Sequence, residues 1–269
     1  MPPESHPSNP PVHTVLSSDG TSIAYEKEGN GQPLILLHGG SGTRHAWDTL
    51  RPYLVDDFEL YVPDRRGRGD SSDGDDYSLA CEAADLRALV NAVSGTPIVF
   101  GHSFGGLVTL TAAPHITIDS LVLYEPPILV GEHSGGDLAT RMEDRLEAGQ
   151  RQDAMRLFIE ENGAVSDVAQ LPWWPEEANL HLTETVIREN YEVEALDLSD
   201  VPDIDVPAVL LTGEQSPDHL RAGVTALDDH LTKSRLIEME NVGHVATETA
   251  PGNLASIIKS QRSSGEDCW

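Results

Sequence analysis

Gly101-His102-Ser103-Phe104-Gly105 follows the apolar run Pro97-Ile98-Val99-Phe100 and precedes the helix-like run Gly106-Leu107-Val108-Thr109-Leu110. A serine between a strand and a helix is a nucleophile elbow: its turn is strained, and small residues two positions to either side keep side chains from colliding. Gly101 and Gly105 occupy those positions. The helix that follows opens with unpaired N–H groups and the positive end of its dipole, beside the point where a tetrahedral oxyanion would form. A turn carrying a structural serine is the competing reading of so short a motif. The flanking strand and helix favour the nucleophile.

A serine hydroxyl is a poor nucleophile at neutral pH, so it needs a histidine to take its proton and an acid to orient that histidine. His244, in Asn241-Val242-Gly243-His244, follows the last strand-like segment and precedes the last helix-like one, which predicts a loop base. An oxyanion hole needs two converging N–H donors. Phe104, next to the serine, is one candidate. Gly40, in His38-Gly39-Gly40-Ser41-Gly42 directly after the buried run 34–37, is the other. The same glycines could cradle a phosphate, but neither G-x-x-x-x-G-K-[ST] nor G-x-G-x-x-G is present.

The elements that must position these residues are legible as short apolar runs. His13-Thr14-Val15-Leu16 and Ser22-Ile23-Ala24-Tyr25 flank Asp19-Gly20 and predict an antiparallel hairpin. Runs at 34–37, 58–62, 97–100, 121–124, 208–211 and 235–238 then alternate with helical stretches, the pattern of an α/β fold with a mostly parallel, doubly wound sheet. Leu86, Leu89, Val90 and Val93 form one helical stripe before the elbow, and Leu254, Ile257 and Ile258 form another near the end. Between Pro126 and Ile204 the alternation stops: helical segments at 137–148, 152–161 and 183–196 predict an inserted helical cap, in which Trp173 and Trp174 either roof a pocket or pack between helices. The predicted organisation is a loose arm at 1–12, a core at 13–125 and 205–262, a cap at 126–204 and a tail at 263–269.

The chain of 269 residues carries 45 acidic and 17 basic residues, a net charge of −28. That balance argues against a nucleic-acid partner. Self-repulsion at this charge is screened in molar salt, where the Debye length is about 3 Å, so the composition predicts a halophilic cytoplasm. No run is long and apolar enough for a membrane span, and no secretory leader pattern is present, so the expected partner is a small molecule and no membrane. Cys81 and Cys268 suggest no disulfide framework, and the 11 histidines form no metal-ligand pattern, so no metal and no cofactor is expected.

Together, His38-Gly39-Gly40, Trp47, Asp64-Arg65-Arg66-Gly67-Arg68-Gly69-Asp70-Ser71, the elbow with Gly106, and Gly243-His244 resemble the α/β-hydrolase superfamily, in its serine-nucleophile branch with a helical cap, from about residue 13 to 260. The resemblance implies an α/β-hydrolase fold, the chain order serine, acid, histidine, and a structural role for Asp64 to Ser71. The acid departs from the pattern. Most relatives place an aspartate three residues after the glycine ending the late strand, and Gly213-Glu214-Gln215-Ser216 puts serine there. Some relatives, a group of haloalkane dehalogenases among them, place a glutamate at the end of the preceding core strand, which here is Glu125 in Tyr124-Glu125-Pro126-Pro127. Glu125 is the predicted acid, with Glu214 and Asp218 as alternatives.

In haloalkane dehalogenases and epoxide hydrolases of this superfamily the nucleophile is an aspartate, so Ser103 points instead to acyl chemistry. The expected activity is hydrolysis of a small or medium carboxylic ester through Ser103, His244 and Glu125, with Gly40 and Phe104 as oxyanion donors. C–C bond hydrolysis, lactone hydrolysis or a lyase reaction of the menaquinone-pathway type on the same site is the alternative. A noncatalytic binding protein of this fold is the alternative from a different class.

Overall fold

In a computed structural model, residues 10–163, 167–170, 174–175 and 178–262 are described, and the statements below concern these. Eight strands form one sheet: β1 (Val12–Leu16), β2 (Ser22–Gly29), β3 (Gln32–Leu37), β4 (Phe58–Pro63), β5 (Ile98–His102), β6 (Ser120–Tyr124), β7 (Ala208–Gly213) and β8 (Ser234–Met239). Their spatial order is β1-β2-β4-β3-β5-β6-β7-β8. The β1–β2 and β2–β4 pairings are antiparallel, and every other pairing is parallel. Each predicted strand is present. β1 begins one residue earlier than its apolar pattern, and β2 runs on to Gly29 because it pairs with β4 as well as β1.

Eight helices connect or cover the strands: α1 (Leu79–Ala92), α2 (Phe104–Ala112), α3 (Leu138–Glu147), α4 (Arg151–Glu161), α5 (Thr183–Ala195), α6 (Asp218–His230), α7 (Ala246–Thr249) and α8 (Pro251–Lys259). The central strands are buried on both faces, which is why they read as unbroken apolar runs. Ile35 and Leu37 face a core shared with Leu86 and Leu89 of α1, Val108 of α2 and Leu227 of α6. Leu34 and Leu36 face a second core with Trp47 and with Leu254 and Ile258 of α8. Each fully buried leucine or isoleucine contributes about 1.5–3 kcal/mol relative to its exposed state. Ser78 caps α1 by accepting from the Cys81 N–H, which fixes where that helix starts.

Helices α3, α4 and α5 lie between β6 and β7 and pack around their own apolar cluster of Met142, Met155, Ile159 and Val186. Trp174 packs partly buried against that cluster, whereas Trp173, residues 1–9 and the tail 263–269 lie outside the described residues. No helix among the described residues is long and apolar enough to cross a membrane.

The interior also holds charge. Arg44, Arg51, Arg65, Arg66 and Arg68 are all buried, as are Glu26, Asp64, Glu82, Asp85 and Glu189. They are paired: Arg44 with Glu26 and Asp64, Arg51 with Glu26, Arg65 with Glu82 and Glu189, Arg66 with Asp85, and Arg68 with Glu189. Breaking one such buried pair typically costs about 3–5 kcal/mol, because the remaining charge is left uncompensated. The segment 64–71 is thus a charged keel beneath the loop that follows β3.

Candidate active site

The C-terminal ends of parallel strands are where an open α/β sheet collects its functional groups. Ser103 leaves β5 with φ 52° and ψ −127° and leads directly into α2. That conformation is one an L-residue holds only when its surroundings enforce it. The enforcement is visible at the flanking glycines. A Cβ on Gly105 would lie 2.3 Å from the Leu37 carbonyl oxygen, and one on Gly101 would lie 2.7 Å from the Gly106 Cα. Only glycine lets the first turn of α2 close against the ends of β3 and β5.

Glu125 directly follows β6 with φ 47° and is fully buried. Its Oε2 pairs with His244 Nδ1 at 2.6 Å, and its Oε1 accepts from the Gly213 N–H at 2.7 Å and from the Thr212 hydroxyl at 2.9 Å. Burial pushes the Glu125 pKa up, but the hydrogen bond and charge of His244, with the Gly213 N–H, outweigh it and hold it below the ordinary carboxylate value. An ionised carboxylate only accepts, so His244 carries its proton on Nδ1 and leaves Nε2 as the basic nitrogen. Of the three acids weighed from the sequence, Glu125 is the one on His244. Glu214 is exposed and accepts from the Asn241 N–H, and Asp218 is exposed in the first turn of α6.

Two further side chains hold the His244 loop. The Tyr124 hydroxyl donates to the Gly243 carbonyl at 2.6 Å, and His102 Nε2 donates to the His244 carbonyl at 2.9 Å with the two rings 4.7 Å apart. Burial, aided by His244, pulls the His102 pKa down to about 3, so this ring is neutral. The motif placed His102 beside the serine but carried no signal of this second task.

The loop after β3 is anchored from behind. His38 Nε2 accepts from the Arg65 N–H at 3.1 Å, which puts its proton on Nδ1, 2.9 Å from the Gly39 carbonyl. Burial, with Arg65 and Arg68 nearby, holds the His38 pKa well below its usual value. Arg65 also donates to the Gly39 carbonyl, and Arg68 to the Gly40 carbonyl at 2.6 Å. With both carbonyls drawn to the arginines, the loop is held against Ser103: a Cβ on Gly39 would lie 3.0 Å from the Ser103 Cβ. Phe104 is the first residue of α2, so its N–H has no partner within the helix. Its ring carries the Arg65 guanidinium at 4.8 Å. Glu189, reaching down from α5 to bond both Arg65 and Arg68, is a member of this cluster that sequence reasoning missed.

Two cavities meet at Ser103. One, of about 450 Å³, is lined by Gly40, Ser103 and Phe104 and roofed by Leu138, Phe158 and Glu189 of the inserted helices. The other, of about 510 Å³, is lined by Gly39, Gly40, His102, Ser103 and His244. Trp174 lines neither. Among the described residues no group of histidines, cysteines and carboxylates is arranged to hold a metal ion.

Comparisons with known proteins bear on the family and the fold. The chain is similar to a soluble epoxide hydrolase of Corynebacterium sp. (strain C12), 35% identical over 99 residues that make up 36% of this chain and 35% of that one. It is also similar to a non-heme haloperoxidase of Rhodococcus erythropolis, 32% identical over 128 residues, 45% of this chain and 47% of that one. The matches thus span about a third to a half of these curated relatives. The crystal structure of an alpha/beta hydrolase from Sphaerobacter thermophilus superposes with a TM-score of 0.78 at 32% identity, covering 93% of this chain and 99% of that one. Residues 34–257 match the model of the Alpha/beta hydrolase family, and with that span, the eight-stranded sheet and the elbow at Ser103, the chain belongs to the alpha/beta hydrolase family.

Proposed function

We propose that the protein is a serine hydrolase of small or medium carboxylic esters. The observation that carries this reading is the bond from His244 Nδ1 to Glu125, which leaves a basic Nε2 on the cavity that Ser103 also lines. Ser103 Oγ attacks the ester carbonyl as His244 Nε2 takes its proton, and the Glu125 carboxylate stabilises the imidazolium that forms. The N–H groups of Phe104 and Gly40 stabilise the oxyanion. His244 returns the proton to the departing alkoxide, and the acyl-serine is then hydrolysed by water that the same histidine deprotonates.

The two cavities divide the substrate. His244 must reach the leaving oxygen, so the alcohol lies in the cavity it lines, and the acyl chain lies in the one under α3, α4 and α5. The net charge of −28 supports a saline setting, which we place in a halophilic cytoplasm. The test is turnover of p-nitrophenyl esters from acetate to decanoate in molar KCl, with Ser103→Ala alongside. Turnover that disappears in Ser103→Ala is expected. A folded wild-type protein that neither turns over any ester nor reacts with a fluorophosphonate would overturn the reading and favour a binding role, whereas fluorophosphonate labelling without ester turnover would move it to C–C, lactone or lyase chemistry.

A further inference from the structure

The Glu189 carboxylate is divided between two tasks. Its Oε1 accepts from both Arg65 and Arg68, and its Oε2, although the residue is only 1% exposed, has no hydrogen-bond partner among the described residues. A buried carboxylate oxygen without a partner is costly and calls for one, be it a water, an ion or a ligand atom. The free oxygen lies on the substrate side: Glu189 lines the cavity under the inserted helices, and a Cβ on Gly40 would sit 3.3 Å from Oε2 and 2.9 Å from the Phe158 Cζ. Gly40, Phe158 and Glu189 therefore enclose the space next to the reacting carbonyl.

We infer that Glu189 Oε2 accepts a hydrogen bond from a hydroxyl on the substrate's acyl chain, within two carbons of the carbonyl, so that the acyl site selects hydroxyacyl groups. Placing the acyl chain in this cavity rests on the serine-hydrolase reading above. The donor is neutral because the Glu189 charge is already matched: Arg65 and Arg68 stand on its other oxygen, and Glu82 together with Glu189 balances those two guanidiniums. A carboxylate on the acyl chain fares worse. Among the described residues no lysine or arginine lines the cavity, whereas Glu132, Asp137, Glu161 and Glu194 do. Asp137 and Glu161 are held by Arg141 and Glu194 accepts from the Ala139 N–H, so three of these carboxylates are fixed in place along a lining whose acidic character disfavours an anionic substrate.

The experiment is calorimetric binding to the Ser103→Ala protein of butyramide, 2-hydroxybutyramide, 3-hydroxybutyramide and succinamate, repeated with Glu189→Gln added. A hydrogen bond to a charged acceptor predicts that one hydroxyamide binds about tenfold or more tighter than butyramide, and that succinamate binds about tenfold or more weaker. Glutamine keeps its carbonyl on the two guanidiniums and turns an amide donor toward the cavity, so the hydroxyl preference should fall to within about twofold. If circular dichroism shows that Glu189→Gln does not fold, Gly40→Ala serves in its place, because its methyl group fills the approach to Oε2 and should abolish the same preference. Equal binding of all three neutral amides to Ser103→Ala, or a preference that survives these substitutions, would overturn the inference. Because binding is read without turnover, failure of ester hydrolysis and failure of the hydroxyl preference are separate results.

Discussion

Glu125, at the end of β6, takes the backbone N–H of Gly213, at the end of the neighbouring strand β7, at 2.7 Å. The strand that in most relatives carries the acid here supplies a donor to an acid carried one strand away. A Cβ on Gly213 would lie 2.4 Å from the Val242 carbonyl oxygen, so glycine brings β7, Glu125 and the His244 loop into one cluster.

This arrangement predicts which carboxylate matters. Glu125→Gln should lower kcat about 10³–10⁴-fold with the protein still folded, because the neutral amide no longer fixes the histidine tautomer or stabilises the imidazolium. Glu214→Gln and Asp218→Asn should stay within about twofold of wild type. Steady-state ester kinetics on the three variants decide it, and a Glu125→Gln protein at full rate would remove Glu125 from the triad.

Ser216 makes the acid position exchangeable. It is buried beside the end of β7, its Oγ has no hydrogen-bond partner among the described residues, and that Oγ would lie 2.8 Å from a Cβ on Gly213, whose N–H bonds Glu125. Adding Ser216→Asp to Glu125→Gln should therefore recover about tenfold of the lost kcat. No recovery in a folded double variant would show that this site no longer reaches the His244 ring.

The close packing around the elbow glycine predicts an effect on stability. A methyl group on Gly105 would meet two backbone carbonyl oxygens, those of Leu37 at 2.3 Å and His38 at 2.6 Å, and neither can swing away. Gly105→Ala should destabilise the protein by about 3 kcal/mol, read as a lowered denaturation midpoint in urea. An unchanged midpoint would mean that α2 moves off β3 at little cost.

Glu125 also links stability to pH. Its folded pKa lies below the reference of 4.5, so its ionised form stabilises the fold fully above pH 4.5, and that contribution is lost as pH falls through the lowered folded value. Thermal melts of wild type and Glu125→Gln should accordingly converge as the pH is taken from 7 down past 4.5. A gap that stays constant over that range would place the stabilising effect of Glu125 in its shape and not its charge.

The fold was readable because the central runs of β3, β5, β6 and β7 are buried on both faces and are therefore apolar, and because one helical stripe, Leu86 to Val93, is buried. Ser103 and His244 were readable because each sits at a fixed point between a strand and a helix. The supporting groups were not. Arg65 and Arg68 stood out in sequence, but their task depends on Glu189, 121 residues beyond Arg68, and no local pattern joins them. The same holds for His102 and the His244 carbonyl, 142 residues apart. Neutral buried histidines and orphan carboxylate oxygens are properties of surroundings that many distant segments build together.

Salt should act on this protein from outside. With net charge −28, its melting temperature should rise steadily from about 0.05 to 3 M KCl as repulsion is screened, and a flat or falling profile would refute adaptation to brine.

The buried arginines give that response a boundary. Five of the chain's 17 basic residues lie in the interior, each matched by a buried carboxylate, so the solvent-facing shell is left with almost all of the net negative charge. Dissolved ions reach the shell but not the keel that fixes the carbonyls of Gly39 and Gly40. The innermost ions, Arg65 and Arg68 with Glu82 and Glu189, are thereby insulated from the salt that screens the surface, while Arg44 and Arg66 reach out to the exposed Asp70 and Asp19 and join keel to shell, so exchanging surface residues elsewhere can retune the response to salt with the innermost pairs left in place.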